Sequence, residues 1–214
     1  MINIDVIFFD VDGTLVDARE DIVNAVNHAL KKLALPPRPK EEIVSYIGTG
    51  VKDLVGRSLG PSKSALTDEG VKIFSQYYVR HATDETKIYP HVEEALSYFS
   101  DKRKFILTNR YIEFADITLR ALGIRKYFEN IFGGDDETCL KPSACVLDRI
   151  LPKLKIEKVR SIIVGDMAID IMTGKNSGIK TCWVTYGLGR PEDVKKLDPD
   201  YIIDDLIELK NIIR

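Results

Sequence analysis

Short apolar runs alternate along the chain with longer amphipathic stretches. Ile4 to Phe9 is almost wholly apolar, the pattern of a strand covered on both faces of a parallel sheet. It runs into Asp10-Val11-Asp12-Gly13-Thr14. Four later runs pass the same way from apolar residues into a polar loop. They are Lys104–Leu107 into Thr108-Asn109, Ser161–Val164 into Gly165-Asp166, Thr181–Val184 into Thr185-Tyr186-Gly187, and Tyr201–Ile203 into Asp204-Asp205. Between them, helical periodicity predicts helices over His91–Phe99, Ile112–Leu122, Ser143–Leu151 and Ile169–Ser177. Strands alternating with helices of this length predict βαβ units and an α/β fold with a mostly parallel sheet covered by helices.

One stretch breaks the alternation. From Val16 to Thr83 the pattern is helix after helix, with no convincing strand. Asp17-Ala18-Arg19-Glu20 has the form of a capping box. After it, Ile22, Val23, Val26, Ala29, Leu30 and Leu33 trace one apolar face until Pro36-Pro37-Arg38-Pro39 stops the helix. Further helices fit Lys40–Ile47, Lys52–Leu59 and Ser64–His81. The expected organisation is a core domain of residues 1–15 and 84–214 and a small all-α domain, residues 16–83, inserted after the first strand. No internal repeat or low-complexity segment is present.

Composition narrows the function classes. The 214 residues are 44% hydrophobic and 30% charged, with a formal net charge of −2, which argues against a nucleic-acid surface or a polybasic membrane patch. No apolar run approaches the roughly 18–20 residues of a membrane helix, and the early acid in Met1-Ile2-Asn3-Ile4-Asp5 argues against a signal peptide. Cys139, Cys145 and Cys182 are too few and scattered for a disulfide framework or zinc site, so reduced thiols in a cytoplasmic protein are expected.

In open α/β sheets, ligands bind at the carboxyl ends of the strands. Four such places carry unusual polar residues. Asp10 and Asp12 straddle the end of the first strand, and Gly13 permits a sharp turn. Thr108-Asn109 offers a hydroxyl and a backbone N–H to phosphoryl oxygens. Lys141-Pro142-Ser143 places a lysine before a proline-initiated helix, a setting suited to an anion. Asp166 ends a buried strand and Asp170 lies one helical turn further on, so both carboxylates can face one point and offer hard oxygens to Mg²⁺. Each motif alone is as well explained by a solvated turn, a cap or an exposed lysine. Their order, their places at strand ends and the helical insertion after the first argue against coincidence.

With these motifs in place, the chain resembles the haloacid dehalogenase superfamily, in its phosphoglycolate phosphatase-like branch with a helical cap. The Asp-x-Asp-Gly-Thr-Leu-Val-Asp run from Asp10 to Asp17 carries most of the likeness. Ile47-Gly48-Thr49-Gly50 and Leu54-Val55-Gly56-Arg57-Ser58-Leu59 also resemble that branch.

The resemblance implies a Rossmann-like core and a Mg²⁺-dependent phosphatase acting on a small phosphorylated metabolite through an aspartyl-phosphate. Asp10 matches the nucleophile and Asp12 the general acid and base. Asp10, Asp12 through its backbone carbonyl, Asp166 and Asp170 would hold the metal. Thr108, the Asn109 backbone N–H and Lys141 would hold the transferring phosphoryl group. Gly48, Thr49, Gly50 and Arg57 are the candidates for cap specificity, with an exposed helix arginine the competing reading of Arg57. Met167 departs from the small polar residue often found there. His91 is expected to start a helix, Asp135-Asp136 to lie in a solvated loop, and Arg110 to meet either substrate or solvent. The expected partner is a small-molecule phosphate ester, with no nucleic acid and no membrane, and the chain a monomer or homodimer. Alternatives are a phosphomutase or pyrophosphatase of the same superfamily, or an inactive phosphate-binding regulatory protein. A phosphonate hydrolase would need a Schiff-base lysine in the cap, for which Lys52 is available.

Overall fold

A computed structural model describes residues 1–214. Its central sheet is built from β1 (Val6–Phe9), β4 (Arg103–Leu107), β5 (Asn130–Phe132), β6 (Ser161–Gly165), β7 (Lys180–Val184) and β8 (Tyr201–Ile203). The strand order is β5-β4-β1-β6-β7-β8, and every pairing is parallel. The apolar runs become strands because both sheet faces are buried, with side chains alternating between them. In β1, Ile7 and Phe9 join the larger core, while Val6 and Phe8 point into a second cluster with Leu147, Ile150 and Leu151. These three belong to α7 (Cys145–Leu154).

The other core helices are α5 (Val92–Tyr98), α6 (Ile112–Ala121), α8 (Ala168–Ser177) and α9 (Pro191–Lys195). β1, β4 and β6 lie side by side at the sheet centre, so their carboxyl ends converge. This brings residues about 100 and 150 positions apart in sequence to one place, as parallel strands require.

Four helices separate β1 from the rest: α1 (Arg19–Lys32), α2 (Lys40–Val44), α3 (Val51–Leu59) and α4 (Thr67–His81). The apolar face of α1 enters the same buried cluster as Leu54 and Val55 of α3 and Phe74 and Tyr78 of α4. The chain leaves and re-enters through a small antiparallel ribbon, β2 (Val16–Asp17) with β3 (Lys87–Ile88). Buried Asp21 pins the return, accepting from the Thr86 N–H at 2.9 Å and the Thr86 hydroxyl at 2.6 Å.

Several local expectations change. Val16–Asp17, expected to be helical, is a strand, because it has Lys87–Ile88 to pair with. β5, a three-residue edge strand, is not among the expected strands and forms by pairing with β4. No side chain caps α1. Asp17 lies in the ribbon and is bound by the Arg19 guanidinium, at 2.8 Å to Nε and 2.5 Å to Nη2. The helix expected over Ser64–His81 begins at Thr67, after a 3₁₀ turn over Pro61–Leu66. The cysteine expectation is also corrected. Cys139 and Cys145, six positions apart, form a disulfide, because the loop between them folds back to a Cα–Cα separation of 5.5 Å. Only Cys182 is free, buried in β7. No helix is long and apolar enough to cross a membrane.

Candidate active site

Asp10 directly follows β1 and extends its ladder, its N–H donating to the Val164 carbonyl at 3.0 Å. Its carboxylate lies 2.8 Å from Lys141 Nζ, which also lies 2.6 Å from Asp170. Asp166, at the end of β6, accepts from the Thr14 hydroxyl at 3.0 Å and the Leu188 N–H at 2.7 Å. Asp170 accepts the Met167 N–H at 3.0 Å, so Met167 contributes its backbone to the first turn of α8. Carboxylate oxygens of Asp10, Asp166 and Asp170 all lie within 4.8 Å of one another, and all three residues are buried.

Glycines make this crowding feasible, Gly13 and Gly187 around Asp166 and Gly165 against Asp170. A Cβ on Gly13, whose φ is +85°, would sit 2.2 Å from an Asp166 carboxylate oxygen, and a Cβ on Gly187 would meet the Asp166 side chain equally closely. Any other residue at either position would displace the carboxylate.

The charges do not balance. Asp10, Asp12, Asp166 and Asp170 face two buried cations, Lys141 and Arg110, which leaves two negative charges uncompensated. Burial therefore raises the pKa of Asp166 well above the ordinary carboxylate range, and repulsion from Asp170 and Asp10 adds to it. Burial likewise pushes Asp170 up to about 6, against the pull of Lys141. Lys141 is itself buried, which opposes its charge, but Asp10 and Asp170 outweigh this and hold it above the ordinary lysine value. A compact, all-oxygen, doubly negative pocket fits a small divalent cation such as Mg²⁺.

Asn109 has a role that its position in sequence did not reveal. Its side chain donates to the carbonyls of Gly48 and Lys141, both at 2.9 Å, and accepts the Lys141 N–H at 2.8 Å. It staples the end of β4 to the helical insertion and to the lysine loop. Its own backbone N–H has no partner within the protein. The Thr108 hydroxyl lies beside it, accepting from the Arg110 N–H at 3.2 Å. A buried N–H without a protein acceptor is uncommon, and this one is free to donate to a ligand.

Above the carboxylates lies a small cavity of about 40 Å³, lined by Asp10, Asp12, Thr108, Asn109 and Arg110 below and by apolar residues of α1, α3, α4 and α6 above. Gly48 and Gly50 line it; Thr49 and Arg57 do not. The Thr49 hydroxyl is bound to the Tyr46 carbonyl and to Asp53, and Arg57 stacks 4.0 Å from the Tyr46 ring centre, half exposed. Lys52 is outside as well, paired on the surface with Asp68 and Glu137, which raise its pKa, whereas a Schiff-base lysine needs a lowered one. His91 heads α5 in a left-handed conformation and pairs with Asp205 at 2.5 Å, away from the cavity. Asp135 accepts the Ile112 N–H and Asp136 pairs with Arg149, both in an exposed loop.

Two contributors escape the sequence reading, and the fold decides the outcome at a third. Thr14 was visible inside the first motif, but not as a ligand of Asp166. Leu188 acts through its backbone, which leaves no signal in its identity. Arg110, with two open outcomes, turns inward and binds Asp12 at 2.5 Å. Burial raises the Asp12 carboxyl above its ordinary value; Arg110 opposes that and Asp10 reinforces it.

The chain is similar to known proteins over nearly its whole length. The profile of the haloacid dehalogenase-like hydrolases matches residues 7–184. Phosphoglycolate phosphatase of Vibrio parahaemolyticus is 30% identical, covering 99% of this chain and 96% of its own length. That of Chromobacterium violaceum is 32% identical over 99% of this chain and 97% of its own. A crystal structure described as a predicted phosphoglycolate phosphatase from Haemophilus somnus superposes with a TM-score of 0.89 at 25% identity, covering 99% of both chains.

Proposed function

The chain belongs to the haloacid dehalogenase-like hydrolase family, and from that premise we propose that it is a Mg²⁺-dependent phosphatase acting on a small phosphate monoester of the phosphoglycolate type. The observation that carries this reading is the Asp10 carboxylate, 2.8 Å from the Lys141 ammonium at the floor of a small cavity, with two further carboxylates within 4.8 Å. The pairing holds that carboxylate at the cavity wall, where it can meet phosphorus.

An Asp10 oxygen bonds to phosphorus as the bond to the leaving oxygen breaks, forming an aspartyl-phosphate. Asp12, whose burial favours the protonated form, gives its proton to the departing alkoxide. It then takes a proton from the water that attacks phosphorus, and Asp10 is released. The Thr108 hydroxyl, the unpartnered Asn109 N–H and Lys141 hold the non-bridging oxygens, and their fixed positions account for much of the rate. The metal would be held by Asp10, Asp166 and the Asp12 carbonyl, with Asp170 in support. When bound, it supplies the positive charge that the four carboxylates lack.

Residues 16–83 act as a cap. The cavity beneath it has room for only a few waters, at roughly 10–15 Å³ each. A cavity this small is enlarged for substrate by the α1–α4 layer moving away from the sheet, and its return then excludes water.

Phosphate release from 2-phosphoglycolate and a panel of small esters, with Mg²⁺ and with chelator, tests the reading. Metal-dependent release is expected, and Asp10→Asn should abolish it with an unchanged circular dichroism spectrum. A well-folded wild type that releases phosphate from none of the esters would sink it.

A further inference from the structure

Arg110 holds more hydrogen-bonding capacity than its neighbours use. It is 6% exposed, and its guanidinium donates once to Asp12, from Nη2 at 2.5 Å, and once to the Thr118 hydroxyl, from Nη1 at 3.0 Å. A guanidinium carries five N–H donors. The remaining three, including Nε–H, meet no acceptor in the protein. Tyr78 of α4 lies over the same group, its ring centre 5.2 Å from the guanidinium carbon. It is 1% exposed, and its hydroxyl has no hydrogen-bond partner. Both residues line the cavity closed below by Asp10 and Asp12, and the other cap residues on its wall offer no acceptor side chain.

The spare N–H groups of Arg110 and the unpartnered Tyr78 hydroxyl stand on facing elements of the cavity wall, where one ligand acceptor can meet both. Its location is constrained. Asp12, as proton donor to the leaving oxygen, lies against that oxygen, and Arg110 is bound to Asp12. A group reaching Arg110 is therefore on the leaving-group side of the phosphoryl, one or two bonds beyond the scissile oxygen. Its charge is set by the guanidinium, its geometry by the fork, and its size by a cavity of about 40 Å³.

We propose that Arg110 and Tyr78 form a carboxylate clamp across the core–cap boundary, which selects esters whose short leaving group ends in a carboxylate. The clamp rests on the phosphatase reading and adds a specificity determinant to it. It also links closure to recognition. Tyr78 belongs to the cap and Arg110 to the core, so a carboxylate that binds both favours the closed arrangement in which Asp12 faces the leaving oxygen.

The test compares kcat/KM, with Mg²⁺, for 2-phosphoglycolate and for ethyl phosphate, which has the same two-carbon length and no carboxylate. Wild type is expected to prefer 2-phosphoglycolate by on the order of 10- to 100-fold, the discrimination of a buried charged hydrogen bond. Arg110→Met should bring the two esters to within about threefold. Tyr78→Phe should lower the preference several-fold, chiefly through KM, without lowering Tm, because it removes an unpartnered hydroxyl. Should Arg110→Met not fold, Tyr78→Phe decides alone: an unchanged ratio refutes the clamp. Equal losses on both esters in Arg110→Met would also refute it, leaving Arg110 as a positioning residue for Asp12. A wild type that cleaves both esters equally removes the clamp and leaves the phosphatase. One that cleaves neither removes both.

Discussion

Lys141 is the residue on which the charge of the site turns. It is the cation within hydrogen-bonding reach of both Asp10 and Asp170, and all three are buried. Removing one partner from a buried ion cluster costs about 3–5 kcal/mol, because the remaining charges stay desolvated. Lys141→Met should therefore lower the stability of the metal-free protein by about that amount, read from urea denaturation. Mg²⁺ should recover part of the loss, and turnover should stay at least about 100-fold down, since the proposed mechanism loses a fixed phosphoryl-oxygen donor. Asp10 and Arg110 show how far a residue can be inferred from its own position. Asp10 is held by the strand that precedes it, so its place in space follows from its place in sequence. Arg110 sits on an equally well-placed strand end, but its long side chain could turn outward, and what draws it in is Asp12, 98 positions away.

Among the elements, the loop from Cys139 to Cys145 is the one whose behaviour differs most from expectation. It carries Lys141 at its centre and is held at both ends by one disulfide and in the middle by Asn109. A closed loop this short stabilises the fold by about 2 kcal/mol on chain-entropy grounds. A dithiol reductant should lower Tm by several degrees in wild type and have no effect on Cys139→Ser/Cys145→Ser. An identical melt with and without reductant in wild type would show that the bond does not form in solution. The pairing was not legible because cysteine spacing alone does not say whether a loop turns back on itself. The strands were legible where an apolar run passes into a polar loop, β8 included at three residues. β1, β4, β6 and β7 are four- or five-residue apolar runs and stood out. β5 has three residues and β2 two, and both exist only because a partner strand lies alongside.

For the molecule as a whole, the uncompensated carboxylates link pH, metal and stability. Asp166 and Asp170 have folded-state pKa values above their ordinary ones, Asp170 at about 6. Between the unfolded value near 4 and the folded value, the native state holds more protons than the unfolded one, so stability falls as pH rises through that window. Metal-free protein should thus have a higher Tm near pH 5 than near pH 8, measured by calorimetry in chelator. Mg²⁺ competes with those protons, so the Tm increment it adds should be larger at pH 8 than at pH 5. A metal-free Tm that rises across this range would contradict the charge imbalance described for the site.

The amino-acid pattern by itself determined the α/β class, the parallel sheet, the helical block after the first strand and the acids, lysine and Thr108-Asn109 pair at the strand ends. Each of these rests on local information: periodicity, burial of short runs, and the rule that parallel strands aim their carboxyl ends at one place. Only the tertiary structure decided which side chains share the cavity. Gly48 and Gly50 face it while their neighbours Thr49 and Arg57 face away, Tyr78 comes in from a helix that offered no motif, and Arg110 turns toward Asp12. These depend on how the helical layer docks on the sheet, a relation between surfaces distant in sequence that spacing along the chain does not encode.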